Sequence, residues 1–182
     1  PQLKFCFLKQ VHGTDVFPAR MDQWSAADGH HTREKNMALV IQSADCLPIL
    51  LASDGHVMAL HAGWRGLAAT RIERASSIAK FDVAAIGPHI RAESYEVGMD
   101  VAHRLRAVSN NAAILSHPRA DKRFIDLTKI AQNHLRQHMH PKLRCEVLDG
   151  DTFTSNLFYS YRRGKEKDDR QYSFIALNEL TR

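Results

Sequence analysis

Three short segments of this chain concentrate the side chains that could do chemistry. They are Gln10–Gly13 (QVHG), Ser43–Pro48 (SADCLP) and His61–Gly66 (HAGWRG). In each segment a His or a Cys lies at or beside the end of an apolar run, next to glycine or proline. Side chains at strand ends point into clefts while the strand holds them rigidly, so functional sites are often built there.

His12, Cys46 and His61 have the ligand types of a catalytic zinc site. Imidazole and thiolate both bind zinc, and three protein ligands leave a fourth position for water or substrate. The ligands are 34 and 15 positions apart, and neither gap is a compact zinc-motif spacing. Two other interpretations therefore stay open: a Cys–His nucleophile pair, and a buried apolar Cys46 beside two hydrogen-bonded histidines.

Other histidines give weaker signals. His89 follows Gly87-Pro88 at the end of an apolar run, so it can face the same cleft as His12 and His61. His30 and His31 lie in a polar stretch, and we expect them at the surface. A further pair, His134 and His138, is one helical turn apart but lacks the Glu of a metalloprotease helix, which favours a solvated helix face.

Apolar runs predict the strands that position the three segments. Buried strands are expected at Met37–Gln42, Cys46–Ser53 and Val57–His61, and the dipeptide Asp54-Gly55 favours a tight hairpin between the last two. Pro48 favours an irregular or edge position for the second of these strands. The alternating residues at the start of the chain predict one more strand.

Helical spacing of apolar residues predicts three helices, the last capped by Asp126: Leu67–Lys80, Met99–Val108 and Leu127–His138. Further short strands are expected at Val83–Ile86, Leu143–Leu148 and Tyr172–Leu177. We find no internal repeat and no linker. The pattern indicates one α+β domain over residues 1–182, with mixed β-sheets flanked by helices.

Composition narrows the class of protein. The chain has 182 residues, of which 44% are hydrophobic and 25% charged, which favours one folded domain over a disordered chain. No apolar run reaches the roughly 18–20 residues of a membrane helix, and the first residues lack a signal-peptide pattern. We therefore expect a soluble, cytoplasmic protein without a membrane partner.

Charge and cysteine content exclude two further classes. The net charge is +5 and the cations are spread out, without a nucleic-acid-binding motif, so a solvated cationic face is favoured over a nucleic-acid surface. A small anionic ligand such as phosphate is compatible with this charge. Three cysteines at unpatterned spacing argue against a disulfide framework.

The three segments, in this order, closely resemble the YfiH family, whose members are also called laccase-domain or polyphenol-oxidase-like proteins. The resemblance continues through Ala84–Ile90 (AAIGPHI), Ser94–Gly98 (SYEVG) and Phe158–Arg163 (FYSYRR), so it spans nearly the whole chain. It implies an α–β–β–α arrangement of mixed sheets with helices on the outer faces. It also implies a metal ion, zinc in some members and copper in others, held here by His12, Cys46 and His61.

The resemblance further implies attack on purine nucleosides by phosphorolysis, by adenosine deamination, or by both. Older and alternative interpretations of the family are copper-dependent phenol oxidation and a Cys–His hydrolase or deamidase. Two departures matter: family members usually carry a long segment before QVHG, which this chain almost lacks, and commonly have Cys where His89 stands. A catalytically degenerate binding protein is therefore one more alternative.

Each chemistry assigns roles to particular residues. Two imidazoles and one thiolate suit zinc better than a multicopper oxidase, which needs several coppers. Deamination requires a general acid or base beside the catalytic Cys46 and His61, and Asp45 is suggested, although neighbours on one strand face opposite sides.

Phosphorolysis requires cationic donors for phosphate beside the purine nucleoside. Arg65 is the first candidate and Arg163 the second, with His89 as a further substrate contact. The alternative for Arg65 is a salt bridge or a contact at a helix start.

Overall fold

The computed structural model describes residues 2–21, 24–164 and 169–177. The strands in these ranges are β1 (Lys4–Cys6), β2 (Val16–Pro18), β3 (Gly29–Thr32), β4 (Met37–Ser43), β5 (Leu47–Ser53), β6 (His56–Ala62), β7 (Val83–Ile86), β8 (Glu96–Gly98), β9 (Ile114–Leu115), β10 (Lys122–Ile125), β11 (Arg144–Val147) and β12 (Gln171–Ala176). The helices are α1 (Trp64–Ala68), α2 (Arg71–Ile78), α3 (Met99–Arg106) and α4 (Leu127–His138).

The strands form three sheets. The largest has the order β11-β7-β5-β6-β3-β2 and is mixed, because β11 runs parallel to β7 and β2 parallel to β3, while the central pairs are antiparallel. A second mixed sheet has the order β1-β4-β12, and a small antiparallel sheet has the order β8-β10-β9. The expected α+β class with mixed sheets and flanking helices is confirmed.

The central strands of the largest sheet, β5 and β6, have apolar packing on both faces. On one face the apolar residues of β5 and β6 pack against all four helices, including Leu67 of α1, Ile72 of α2 and Leu105 of α3. On the other face Val57 and Ala59 pack against β4 of the three-stranded sheet. Apolar residues therefore lie on both faces of β5 and β6, which explains why these strands have continuous hydrophobic runs in the sequence.

Pro48 does not mark an edge strand, since β5 lies between β7 and β6 in the centre of the large sheet. Its carbonyl accepts a hydrogen bond from the Gly87 N–H at 2.9 Å. The two polar groups of a strand residue point to the same side. The N–H that Pro48 lacks would therefore face the Gly87 carbonyl, which instead accepts a hydrogen bond from Nδ1 of His89 at 2.8 Å.

The single helix expected over Leu67–Lys80 is two helices. α1 ends at Ala68 and α2 begins at Arg71, because Thr70 between them has a left-handed φ of 59°. The predictions for β7, α3, α4, β11 and β12 are confirmed within one to two residues. Asp126 caps α4 as expected, accepting the Lys129 N–H at 2.9 Å. No helix of the described chain is long and apolar enough to cross a bilayer.

Candidate metal centre and active-site cavity

The fold brings His12, Cys46 and His61 together. One ligand atom from each lies within 4.8 Å of the others. Cys46 directly precedes β5 and His61 lies near the end of β6. The hairpin register, which places Leu47 opposite Ala62, puts them side by side. His12 comes from the loop after β1, where its left-handed φ of 59° turns the chain toward the other two residues.

Asp28, which the sequence analysis did not single out, organises two of these three residues. Its carboxylate accepts the backbone N–H groups of Val11, His12 and Gly13 at 3.1, 2.9 and 2.7 Å. It also accepts Nδ1 of His61 at 2.7 Å. One fully buried carboxylate thus fixes the His12 loop and leaves Nε2 of His61 for a ligand, as carboxylate partners of metal-binding histidines do.

A buried arginine, Arg71, lies beside this carboxylate and bonds the backbone around it. Arg71 is fully buried, and its Nη1 donates to the carbonyls of Asp28 (3.1 Å) and His61. The same nitrogen lies 3.8 Å from the Asp28 carboxylate. Gly66 makes room for the guanidinium, because a Cβ there would lie 2.6 Å from Nε and Nη2 of Arg71. The guanidinium compensates a carboxylate that would otherwise be a costly lone buried charge.

The protonation states of these groups suit metal binding. Burial alone would raise the pKa of Asp28, but the hydrogen bond from His61 and the charge of Arg71 outweigh it and lower the pKa to about 2. Burial lowers the pKa values of His61 and His12, so both imidazoles are neutral near pH 7. Burial raises the pKa of the Cys46 thiol to about 12, and a thiol at such a site loses its proton when it binds a metal.

The donor set and its surroundings fit a zinc ion. Zinc binds imidazole and thiolate at about 2.0–2.3 Å, and the three donor atoms lie within 4.8 Å of one another, so a modest side-chain movement would let one ion contact all three. Gly63 forms a cradle beside them, because a Cβ there would lie 2.9 Å from Sγ of Cys46 and 3.5 Å from the His12 ring. The rings of His12 and His61 meet edge to face with centroids 4.8 Å apart.

The three residues line a cavity of about 600 Å³, within the size range of sites for small organic ligands. Its wall combines aromatic rings, amides and arginines. The remaining lining residues are Leu8, Gln10, Gln42, Ser43, Ala44, Asp45, Gly63, Trp64, Arg65, Tyr95, Tyr161, Arg162 and Arg170.

Two of the expected site residues, Arg65 and Asp45, lie at this cavity. Arg65 stacks on Trp64, with its guanidinium carbon 4.7 Å from the ring centroid. Asp45 has a left-handed φ of 85° and turns the chain between β4 and β5. Its two carboxylate oxygens accept the Thr152 hydroxyl and the Arg162 backbone N–H, each at 2.7 Å, so the side chain anchors two loops.

The structure does not bring Arg163 or His89 to the cavity. The Arg163 guanidinium donates to backbone carbonyls, including those of Ser155 at 2.8 Å and Phe158 at 2.6 Å, and so holds its own loop together. His89 is fully buried. Its Nδ1 bonds the Gly87 carbonyl at 2.8 Å and its Nε2 the Thr128 hydroxyl at 2.6 Å. Both ring nitrogens are therefore occupied.

Two expectations about other histidines are wrong. His30 is fully buried on β3 rather than at the surface, because three of the four residues of this strand are buried in the fold. His134 is also buried, and its Nε2 bonds the Val108 carbonyl at 2.6 Å. Among the described residues, His12, Cys46 and His61 form the only group of three or more potential metal donors, which does not favour a centre of several coppers.

Besides Asp28, the sequence analysis missed Tyr95, Arg162 and Arg170 at the cavity wall. Tyr95 stands in the SYEVG segment that carried part of the resemblance, and Arg162 is the direct neighbour of the expected Arg163. The signal was thus present for both. The sequence did not show whether Arg162 or Arg163 faces the cavity, because that depends on the path of an irregular loop.

Comparison with known proteins agrees with this architecture. A protein from Neisseria meningitidis (NMB0706) has a solved structure that superimposes with a TM-score of 0.88 at 29% identity, over 97% of this chain and 76% of that one. YlmD from Geobacillus stearothermophilus superimposes with a TM-score of 0.85 at 26% identity, over 97% and 74% of the two chains.

Sequence comparison identifies curated relatives. The chain is 33% identical to the purine nucleoside phosphorylase YfiH of Escherichia coli K12, over 94% of this chain and 73% of the relative. It is 32% identical to a purine nucleoside phosphorylase of Deinococcus radiodurans, over 95% and 70%. The family model described as multi-copper polyphenol oxidoreductase laccase matches residues 1–178. The chain therefore belongs to that family, and the resemblance of its motifs to YfiH proteins is confirmed.

Proposed function

We propose that this protein is a zinc-dependent purine nucleoside phosphorylase with His12, Cys46 and His61 as the metal ligands. The observation that carries the proposal is the cavity itself, because a three-donor metal site, aromatic rings and arginines all line it. The names of the relatives support the substrate class. Two imidazoles and one thiolate favour zinc over a centre of several coppers.

The reaction uses phosphate to replace a purine base. A phosphate oxygen forms a bond to C1′ of the ribose while the C1′–N9 bond breaks, and its electron pair leaves with the base. The proton of monohydrogen phosphate ends on the purine, so the products are the free base and ribose 1-phosphate. A bound zinc ion would supply Lewis-acid stabilisation of developing negative charge.

The residues of the chain have separate tasks in this reaction. Trp64, Tyr95 and Tyr161 offer aromatic surface against which a purine can stack. Arg65, whose guanidinium carbon lies 4.7 Å from the Trp64 ring centroid, offers charge for the phosphate. Asp28 holds His12 and His61 in place by hydrogen bonds, and Arg71 donates a hydrogen bond to the Asp28 carbonyl.

The cavity favours phosphorolysis over deamination. Deamination of adenosine requires a proton-transferring group near the amine that leaves. Asp45 is the only carboxylate among the described residues of the wall, and both of its oxygens are already engaged by Thr152 and Arg162. The arginines instead suit an anionic co-substrate.

A Cys46–His61 hydrolase is the second candidate. The observation in its favour is that Asp28 holds Nδ1 of His61 at 2.7 Å, as the third member of a nucleophile–base–orienter triad would. This candidate predicts that a thiol-alkylating reagent abolishes activity and that metal chelators leave it unchanged.

Product identity separates these functions. Zinc-loaded protein is incubated with inosine or adenosine, with and without phosphate, and the products are separated by chromatography. Phosphate-dependent release of free base with an equal amount of ribose 1-phosphate is the expected result. Inosine formed from adenosine without phosphate would indicate deamination, and absence of any product from zinc-loaded protein would overturn the proposal.

A further inference from the structure

Two arginine–aromatic pairs lie on the wall of the metal-site cavity. Arg65 stacks on Trp64 at 4.7 Å, and Arg162 stacks on Tyr95 at 5.2 Å, from the guanidinium carbon to the ring centroid. An aromatic face holds a guanidinium in a fixed plane through cation–π attraction. Both arginines are therefore oriented before a ligand arrives.

Arg162 is anchored at two points and still has donors to offer. Its backbone N–H donates to Asp45 at 2.7 Å, and its Nη1 donates to the Glu96 carbonyl at 2.6 Å. Within the described parts of the chain, its Nε and Nη2 have no hydrogen-bond partner, and neither does the guanidinium of Arg65. Two cations with unused N–H groups thus line the same cavity as the metal triad.

Tyr95 adds a neutral donor to the same cavity. Its side chain is 8% exposed and lines the cavity, and its hydroxyl bonds to none of the residues that the structure describes. The ordinary pKa of a phenol is about 10, and burial raises that of Tyr95 further, so it keeps its proton at physiological pH. The Tyr95 ring lies 5.2 Å from the guanidinium carbon of Arg162, and Tyr95 lines the same cavity as Arg65 and the metal ligand Cys46.

We propose that Arg162, Tyr95 and Arg65 form an oxyanion subsite beside the metal triad, and that its ligand is inorganic phosphate. The inference rests on the proposed function and specifies where its co-substrate binds. Planar guanidinium groups match the paired oxygens of a tetrahedral oxyanion, and a neutral phenol donates to a third oxygen without adding charge. Asp45 is the one carboxylate among the described lining residues, and the positive charges of Arg65 and Arg162 together outweigh its single negative charge.

Matched variants of the zinc-loaded protein test the subsite. Arg162→Gln removes the charge, Arg162→Lys keeps the charge but loses the planar fork, and Tyr95→Phe removes only the hydroxyl. Arg104→Gln, on the exposed face of α3, is the control for loss of one positive charge. Binding of inorganic phosphate is measured by calorimetry, zinc content by elemental analysis, and the KM values for phosphate and nucleoside by product formation.

The proposal predicts a selective loss of phosphate binding. Arg162→Gln should weaken phosphate affinity and raise the phosphate KM by about tenfold or more, Arg162→Lys should restore only part of it, and Tyr95→Phe should cost about threefold to tenfold. Zinc content and nucleoside KM should stay unchanged. Phosphate affinity equal to wild type in Arg162→Gln and Tyr95→Phe would overturn the subsite.

The same data distinguish failure of the subsite from failure of the proposed function. If the variants lose phosphate affinity while wild-type protein converts no nucleoside, the subsite stands and the proposed function fails. If phosphorolysis proceeds and the phosphate KM is the same in Arg162→Gln, the subsite fails and the proposed function stands. A rise in nucleoside KM alone would assign Arg162 to the nucleoside and would also overturn the subsite.

Discussion

Asp28 positions two of the three candidate metal ligands, His12 and His61. One buried carboxylate accepts three backbone N–H groups of the His12 loop and the ring of His61. The loop has no regular structure of its own at His12, so these bonds define where that ligand lies. Two of the three candidate metal ligands are therefore held by the same side chain.

We expect Asp28→Asn to lower zinc affinity by about 10- to 100-fold, the usual effect of losing a carboxylate partner of a metal-binding His. The neutral amide accepts fewer of the four hydrogen bonds and no longer offsets Arg71. Competition with a coloured chelator measures the affinity, and Asp54→Asn in the exposed β5–β6 turn serves as the control. Wild-type zinc affinity in a folded Asp28→Asn protein would contradict this role.

The sequence predicted the three metal-binding candidates but not the residues that support them. His12, Cys46 and His61 stand in short distinctive segments, whereas Asp28 precedes two histidines in a polar stretch without a pattern. Its partners are 15 to 17 and 33 positions away. Arg71 has the spacing of an ordinary charged helix residue, and only the tertiary fold shows that it is buried.

The β5–β6 hairpin and the α1–α2 junction are the elements that position the site. The hairpin register sets Cys46 beside His61. At the junction, the left-handed Thr70 changes the chain direction just before Arg71, whose side chain then points inward to the carbonyls of Asp28 and His61. Periodicity predicted the apolar face of this region correctly but could not show the break, because Thr is not a residue that usually adopts φ > 0.

Thr70→Gly should stabilise the protein by about 1 kcal/mol, because a β-branched residue pays for a left-handed φ and glycine does not. Thr70 makes no side-chain capping bond that would be lost. Ala69→Gly is the matched control, because Ala69 has a φ of −98° that alanine adopts without strain. This variant should lower the free energy of unfolding by about 0.5–1 kcal/mol, since glycine loses more backbone entropy on folding. Urea unfolding measures both, and destabilisation by Thr70→Gly would show that the junction is not strained.

Buried neutral histidines make the stability of the whole molecule depend on pH. His89 is fully buried, and burial lowers its pKa to about 4 despite its bond to the Gly87 carbonyl. In the unfolded chain its pKa is about 6.5. The unfolded state therefore binds more protons than the folded state between these values, and the stability present above pH 6.5 is lost as the pH falls toward 4.

His89→Gln should reduce this loss of stability. Between pH 7 and pH 4.5 the free energy of unfolding should fall by about 2 kcal/mol less in the variant than in wild type, because each pH unit is worth up to about 1.4 kcal/mol per group. Urea unfolding at the two pH values measures the difference, with the exposed His103→Gln as the control. An equal fall in wild type and His89→Gln would show that His89 does not contribute.

In the function we propose, one zinc ion on His12, Cys46 and His61 is required for turnover of purine nucleosides. The most direct measurement compares zinc content and phosphorolysis in wild type, Cys46→Ala and Cys145→Ala, the last being a half-buried cysteine of β11 outside the cavity. We predict about one zinc per chain and full turnover in wild type and Cys145→Ala, and loss of both in Cys46→Ala. Full turnover in Cys46→Ala, or wild-type protein that turns over nucleosides without stoichiometric metal, would show that the zinc ion is not required.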